Sequence, residues 1–365
     1  MQIDKYDFVI KKIIMKDFLE KAKQQLLENL PFVIYKKPNN NSVVGYFQNC
    51  NTVFEAHNYS EKGFVFSTFD GTKSILIPEK NSVRITSIFL FDSIENTIES
   101  SVITDNKSDK NNFETLVNLG IDSIKKGQFS KVVLSRKEAI KVTDFDAIAT
   151  FVRVAQNYPT AFCYCWFHPK IGLWIGASPE QLLKIDGTVL TTVSLAGTQK
   201  FIENETVVWG DKEKNEQQIV TNSIIENLKN EVDEIIVSNP YTAKAGNLVH
   251  IKTDIKGNLK PGFDLSNLLS KLHPTPAVCG FPRKEAQNFI KNNEGYDRRF
   301  YSGFFGEINL DENTPTLLHV ILRCMEIENN NAHLYIGCGI TQNSIPELEW
   351  IETVNKAQTM KKIVI

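Results

Sequence analysis

The sequence predicts an α+β fold, in which helices cover antiparallel β-sheets. Strand-like segments occur in groups and do not alternate with helices, which favours α+β over a doubly wound parallel sheet. Turn-rich pieces such as 36–42 and 69–73 separate short apolar runs, as is typical of antiparallel strands. With 365 residues, 42% of them hydrophobic, the chain can bury a large core. At roughly 150 residues per domain, its length predicts about two domains, or one large domain.

The first 105 residues predict a helix followed by antiparallel strands. Residues 9–29 have helical periodicity, with Ile10, Ile13 and Phe18 on one apolar stripe. The strand-like runs that follow are 32–37, 43–49, 63–69 and 74–78. The polar stretch 104–112 predicts an exposed loop, which we take as the border between an N-terminal part, residues 1–105, and a C-terminal part, residues 106–365.

The C-terminal part begins with a predicted helix over 112–126, ended by Gly127 as its C′ residue. Helical patterns return at 211–230 and in the last 20 residues. The predicted strands are 131–135, 161–167, 172–177, 182–187, 188–194, 248–257, 304–310, 316–327 and 332–340.

Charge and cysteine content narrow the class of protein. The formal net charge is −2 and there is no strongly basic stretch, which argues against a nucleic-acid or membrane-surface partner. The six cysteines form no C-x-x-C pair, so we expect reduced thiols and no disulfide scaffold or structural zinc site. The chain shows neither a signal-peptide apolar segment nor a run of about 18 apolar residues, so we expect a cytoplasmic protein.

The strand predicted over 131–135 begins with a lysine. Its apolar centre, Val132 to Leu134, is typical of a buried strand. Buried lysines are rare unless they are paired or have a chemical role. Lys131 is therefore a candidate functional residue.

Two predicted helices each carry glutamates on one face. Glu213 and Glu216 lie three residues apart, as do Glu349 and Glu352, and Lys356 continues the second face. Two such pairs could hold Mg²⁺, which prefers a few carboxylates and keeps some of its waters. The alternative, which spacing alone favours, is a solvated helix face with ion pairs between neighbouring turns.

Glu180 follows an apolar strand and the sequence Ser178-Pro179. A carboxylate at the mouth of a buried strand can have a raised pKa, which suits a general acid. The alternative is a glutamate in the first turn of a helix, because Ser-Pro-Glu is also a good helix start. Taken alone, the sequence favours the helix start.

Several other features carry weaker signals. Gly337 and Gly339 form a G-x-G that would let the backbone approach a ligand, but the third glycine of a dinucleotide-binding motif is absent. Gly197 after a strand fits a simple bulge. Arg323 interrupts a long apolar strand and needs an anion, either a ligand carboxylate or an internal ion pair.

Eight motifs, taken together and in order, resemble those of one family, the chorismate-utilising enzymes. They span about residues 112 to 360, and eight ordered matches make the resemblance highly specific, whereas residues 1–105 match less distinctly. The motifs are KVVLSR, GASPE, LAGT, LHPTPAVCG, YDRRFYSGFFG, ILR, LYIGCGI and EWIETVNK. The resemblance implies one large α+β domain of two packed antiparallel sheets with helices outside, and a cleft that binds chorismate and Mg²⁺. A single domain therefore replaces the two-domain expectation.

The resemblance also gives Lys131 a role. Members that use water carry lysine at the head of this strand, whereas members that use ammonia typically carry glutamine. Water needs a base, so Lys131 would deprotonate the water that attacks C2 of chorismate, and Glu180 would protonate the C4 hydroxyl as it leaves. A lysine base must be neutral, and burial favours the neutral form.

Further site residues follow from the same resemblance. Glu216 and Glu352 match the Mg²⁺ ligands of the family, and Glu213 and Glu349 would support them or act through water. Positions that match substrate-binding residues are Gly197, His250, Tyr301, Arg323, Gly339 and Lys356. Three departures from the usual pattern, Glu213, Gln217 and Ser194, leave fine specificity open.

Lys131 makes isochorismate synthase, an isomerase, the predicted activity. Salicylate synthase would share the first step and then eliminate pyruvate. An anthranilate or aminodeoxychorismate synthase subunit would need an amidotransferase partner, and Lys131 argues against it. An inactive chorismate-binding protein would not need the lysine, the acid and the metal glutamates together. We expect a monomer without an obligatory amidotransferase, in either menaquinone or siderophore synthesis.

Overall fold

The computed structural model describes residues 11–89, 107–246, 248–309 and 315–364. Two ten-stranded sheets dominate this part of the chain. The first sheet contains, in spatial order, β1 (Lys11–Lys12), β7 (Ser82–Ile88), β3 (Ser42–Gln48), β2 (Phe32–Lys36), β9 (Phe162–His168), β10 (Gly172–Ser178), β19 (Cys324–Glu328), β20 (Asn331–Ile340), β8 (Lys131–Lys141) and β16 (Gly280–Phe281).

The second sheet has its own spatial order, with one strand paired beside the main path. It contains β13 (Val232–Val237), β15 (Leu248–Leu259), β12 (Val189–Lys200), β11 (Gln181–Asp186), β18 (Thr316–Val320), β17 (Phe304–Ile308), β5 (Gly63–Ser67), β6 (Ser74–Pro78) and β4 (Phe54–Glu55), and β14 (Tyr241–Ala245) pairs with β15. The pairs are antiparallel except for β1 with β7 at the edge of the first sheet.

Helices cover the outer faces of the sheets, which confirms the predicted α+β class with two packed antiparallel sheets. They are α1 (Met15–Leu27), α2 (Lys107–Lys125), α3 (Ala147–Asn157), α4 (Asp211–Leu228), α5 (Leu265–Leu272), α6 (Arg283–Asn293) and α7 (Pro346–Val364). A single 3₁₀ turn, Glu79–Asn81, precedes β7.

The strand β2 explains how both faces of the first sheet are buried. Successive side chains of a strand point to opposite faces. Val33 and Tyr35 therefore join the aromatic core between the sheets, while Phe32 and Ile34 pack in the core beneath α1 and α3. Across the sheet interface, the ring of Phe66 stacks on Trp166 at a centroid distance of 4.7 Å.

Two predicted boundaries at the N-terminal side were wrong. The helix predicted over 9–29 begins at Met15, because Ile14 is still extended and residues 11–12 pair as a strand; residues 9 and 10 lie outside the described residues. In the predicted loop 104–112, residues 107–112 form the start of α2, whose buried face stabilises a polar first turn. Residues 104–106, and with them the proposed border at 105, lie outside the described residues.

The single strand predicted over 316–327 is two strands in different sheets. β18 belongs to the second sheet and β19 to the first, and the chain passes between them at 321–323, where Arg323 has φ +46°. A continuous apolar run signals burial but not a change of sheet, which explains the error. The prediction also missed short or polar elements, including α3, α5, α6 and β13.

A second passage between the sheets runs beside the first. β10 of the first sheet leads through Pro179 and Glu180 to β11 of the second. Backbone bonds tie the passages together: Ala177 N–H donates to Arg323 O and Val320 N–H donates to Glu180 O, both at 3.0 Å. Glu180 and Arg323 are thereby fixed side by side.

Candidate active site

A cavity of about 630 Å³ lies where these two passages leave the sheets. The tertiary structure thus brings most of the predicted residues to one place. Those that line the cavity are Glu180, Gly197, Glu216, His250, Tyr301, Arg323, Gly339 and Lys356. The remaining metal candidates, Glu213, Glu349 and Glu352, line an adjoining outer cavity of about 860 Å³.

Lys131 is fully buried and forms an ion pair. It shares a strand face with Val133, which lines the cavity, because residues two apart in a strand point the same way. Its Nζ lies 3.0 Å from Oε1 of Glu216, a residue of α4. Glu216 therefore lies between the lysine and the space available to a ligand.

Gly339 makes this arrangement possible. It lies on β20 directly beside Val133 of β8. A Cβ atom at this position would be 2.1 Å from Glu216 Oε1 and 3.2 Å from Lys131 Cε. The glycine is thus required by space for the carboxylate, a role that a lone G-x-G could not reveal.

The carboxyl of Glu216 is held in its charged form. Burial by itself raises the pKa of Glu216, but the ammonium of Lys131, assisted by Lys212 and Lys356, lowers it below the usual value. Glu216 is therefore an anion inside the protein, suited to bind a cation.

Two more carboxylates reach the same region from α7. Glu352 pairs with Lys356 at 2.6 Å, and Lys356 also donates to the Gly337 carbonyl at 2.9 Å. Glu349 is buried and pairs with Lys212. Burial, and then the like charge of Glu352, raise the pKa of Glu349. The helix spacing did predict neighbouring carboxylates. Burial of Glu216 and Glu349 shows that these two do not belong to a solvated face, whereas Glu352 forms the ion pair between neighbouring turns that the alternative described.

Glu213 makes a contact that the sequence did not predict, while its predicted supporting role at the metal stays a prediction. Its Oε2 accepts the Gly210 N–H at 3.1 Å and so caps the start of α4. Its Cβ would lie 3.0 Å from a Cβ added at Gly197, which has φ +72° at a bulge between β12 and β15. The sequence signal for this capping role is an acidic residue in the first helical turn.

The chemistry of these carboxylates fits Mg²⁺. Among the described residues, no three His, Cys, Asp or Glu side chains already converge on a metal position. Yet the ammonium of Lys212 contacts Glu349 and interacts electrostatically with Glu352 and Glu216, so these carboxylates already attract a positive charge. Sequence reasoning missed Lys212, although its position beside Glu213 on a helix could have indicated it.

Glu180 is buried but has no ion-pair partner among the described residues. Burial raises its pKa to about 8, although Lys131, Arg323 and Lys356 oppose this. It therefore carries a proton at neutral pH, as a general acid must. No helix begins here, because β10 and β11 flank the residue, so the alternative of a helix start is wrong.

Arg323 and His250 offer unused polar groups to the cavity. Within the described ranges Arg323 forms no ion pair, so the alternative of an internal pair is not realised. His250 Nδ1 lies 3.0 Å from the Gly197 carbonyl, which can only accept, so Nδ1 carries the proton. Its Nε2 is buried without a partner, and burial, Arg323 and Lys356 lower the pKa of His250 to about 3. The histidine is thus a neutral acceptor.

Tyr301 completes the wall between Arg323 and β20. Its ring stacks on Tyr335 at 5.5 Å with an interplanar angle of 19°. A Cβ at Gly337 would be 2.8 Å from its hydroxyl. The phenol therefore lies directly against the strand that carries Gly339.

The chain thus combines two packed sheets with a cavity that Glu180, Glu216 and Lys356 line. This combination can be compared with the known protein families. The family model described as chorismate binding enzyme matches residues 76–365, and the chain belongs to this family.

The relatives of this chain include isochorismate synthases. The isochorismate synthase MenF of Pasteurella multocida is 30% identical over 71% of this chain, and EntC of Escherichia coli K12, also an isochorismate synthase, is 32% identical over 65%. Each match covers 62% of the relative's own length. The crystal structure of DhbC from Bacillus anthracis, assigned to the isochorismate synthases, has a TM-score of 0.77 at 25% identity, covering 94% of this chain and 99% of that one.

The helices among the described residues do not meet the requirements of a membrane span. None of them is both long enough and apolar enough to cross a bilayer.

Proposed function

We propose that the protein is an isochorismate synthase that converts chorismate to isochorismate with Mg²⁺. One observation carries this: a protonated carboxyl, Glu180, lines the same cavity as Glu216, whose carboxylate is paired with the buried Lys131. An acid and a candidate base at one site fit the exchange of a hydroxyl between two ring positions. The similarity to MenF and EntC supports the same reaction.

The proposed reaction needs only water besides chorismate, because one water molecule is added and one is released. Water adds at C2 of the ring, the double bonds shift, and the C4 hydroxyl leaves as water with the proton of Glu180. The proton released by the attacking water goes to Lys131, and transfer of one proton from Lys131 back to Glu180 through solvent restores the enzyme. Product and substrate therefore have equal mass, and the reaction is reversible.

Lys131 must be neutral to accept that proton. Its ion pair with Glu216 favours the ammonium. The proposal therefore requires Glu216 to turn away from Lys131 during the reaction, which leaves the amine free to accept the proton of the attacking water. Glu216 is the residue that decides when Lys131 can act.

The substrate carries two carboxylates, and the cavity has places for both. Arg323, which forms no ion pair among the described residues, would bind one through a bidentate contact, with Tyr301 beside it. Mg²⁺, held by Glu216, Glu349 and Glu352, would supply positive charge to the other and to the developing transition state. His250 Nε2 would accept a hydrogen bond from a ring hydroxyl.

The test is product analysis with purified protein, chorismate and Mg²⁺. We expect a new species of unchanged mass that reverts to chorismate. Lys131→Ala should abolish its formation while chorismate still binds, and Lys141→Ala, at the exposed end of the same strand, should not. Glu352→Gln should raise the Mg²⁺ concentration needed for turnover.

Two other products would revise the proposal. Salicylate and pyruvate, formed faster than by spontaneous breakdown, would assign the protein to the salicylate synthases and limit Lys131 to the first half-reaction. Binding of chorismate and Mg²⁺ without any product would indicate an inactive binding protein.

A further inference from the structure

Three lysines neutralise the carboxylate cluster, by which we mean Glu216, Glu349 and Glu352. Two of them are tightly held: the side chain of Lys131 is 0% exposed, and that of Lys356 is 11% exposed and also bonded to the Gly337 carbonyl. Lys212 is 24% exposed, lies in the first turn of α4 and lines the outer cavity. It is thus the lysine best placed to leave the cluster for solvent.

The charge of Lys212 interacts with all three carboxylates of the cluster. Lys212 contacts Glu349 directly, across 137 residues of sequence, and its charge acts on Glu352 and Glu216 as well. Glu349 and Glu352 repel each other, and Lys212 is the cation that relieves this repulsion at Glu349. The ammonium therefore does what a divalent ion at the same carboxylates would do.

We propose that Lys212 is a built-in competitor of the divalent cation and must release Glu349 before Mg²⁺ can be held there. This inference rests on the proposed function, which supplies the cation. While the ammonium contacts Glu349, a metal ion at the same carboxylate would be repelled by it, so metal binding there is weakened. The four-carbon flexible stem of lysine lets the ammonium move into the outer cavity.

Such competition predicts two opposite effects of removing Lys212, one on the affinity for Mg²⁺ and one on the stability of the protein without metal. If only the open state binds metal, the apparent dissociation constant is raised by the inverse of the open fraction. Removing Lys212 should therefore tighten Mg²⁺ binding, by about tenfold if the open state is about a tenth of the population. It should also destabilise the protein without metal, because Glu349 loses its partner.

The experiment is calorimetric titration of the full chain with Mg²⁺ alone. Lys212→Met should bind more tightly than wild type. Lys212→Arg, which keeps the charge, should stay close to wild type. Lys214→Met, an exposed lysine on the same helix, controls for a general change of charge. Repeating the titration at high salt separates contact competition from long-range repulsion, because only the latter is largely screened.

Thermal unfolding with and without Mg²⁺ provides the second measurement. We expect Lys212→Met to unfold at a lower temperature than wild type without metal and to gain more from added Mg²⁺. Equal Mg²⁺ affinity in wild type and Lys212→Met overturns the inference and leaves the proposed function intact. An equal gain in Lys214→Met also overturns it. Absence of Mg²⁺ binding by wild type, with chorismate present, overturns the proposed metal site itself.

Discussion

Glu180 and Glu216 are both buried carboxylates beside one cavity, yet their protonation states differ. Glu216 has Lys131 at 3.0 Å and a lowered pKa. Glu180 has no ion-pair partner among the described residues, and its pKa is raised to about 8. Since burial pushes both in the same direction, the nearby ammonium decides the outcome. Pairs of groups whose pKa values are driven apart are typical of sites that need both an acid and a charged group.

The contrast predicts opposite effects on stability when each carboxyl becomes an amide. Glu216→Gln should lower the free energy of unfolding by about 3–5 kcal/mol, because Lys131 is left buried without its partner. Glu180→Gln should raise it at pH 7 by on the order of 3 kcal/mol, because the native state no longer has to keep a carboxyl neutral that ionises on unfolding. Urea denaturation of both variants measures the difference.

The size of the Glu180 effect depends on pH. With a folded-state pKa raised to about 8, the stabilising effect of the bound proton is complete below the unfolded pKa and is lost as pH rises through about 8. Wild type and Glu180→Gln should therefore be equally stable near pH 4. A constant difference at all pH values would show that the amide acts through packing.

Activity should separate the two residues from a purely structural role. Glu180→Gln should fold and bind chorismate but lose about 10³-fold in kcat, since general acids typically contribute 10²–10⁴-fold. Retained turnover in this variant would remove Glu180 as the acid. Glu180→Asp, which restores a carboxyl on a shorter side chain, should recover part of the rate.

A substitution at Gly339 tests whether Glu216 needs the space that this glycine leaves. Gly339→Ala should push the Glu216 carboxylate away from its position, because the new Cβ would lie 2.1 Å from Oε1. We expect the Mg²⁺ requirement to rise by about tenfold, a loss of one modest coupling. Gly176→Ala is the matched control, since its Cβ would meet the Tyr164 side chain in the aromatic core. Equal metal titrations in both variants would contradict the role of Gly339.

The smallest effect concerns the pH profile of kcat. Because Glu180 acts in its protonated form and its pKa is raised to about 8, kcat should be insensitive to this group near pH 7 and fall up to about tenfold per pH unit above pH 8. The pKa of His250, lowered to about 3, should leave no inflection between pH 5 and 7. An inflection there that disappears in His250→Asn would show that the histidine titrates.

The fold class and much of the candidate site were predictable because they depend on local patterns. Apolar runs located most strands, and a lysine at the head of one singled out Lys131. Spacing of three residues placed Glu349 with Glu352 on one helix face. Motif order identified the family, which the family model over 76–365 confirms. The predicted role of each site residue stays a prediction.

Other features required the tertiary structure. A hydrophobic run could not show that the chain changes sheets at 321–323, and this change sets Arg323 beside Glu180. Nor could it show that Glu213 caps α4, or that Lys212 reaches Glu349.

The sequence by itself determined which apolar segments can form the core and which chemical groups are available, because periodicity and composition are local properties. Only the tertiary structure decided which lysine meets which glutamate. Those pairings depend on contacts between residues far apart in the chain, and they in turn set the charge state of each carboxyl.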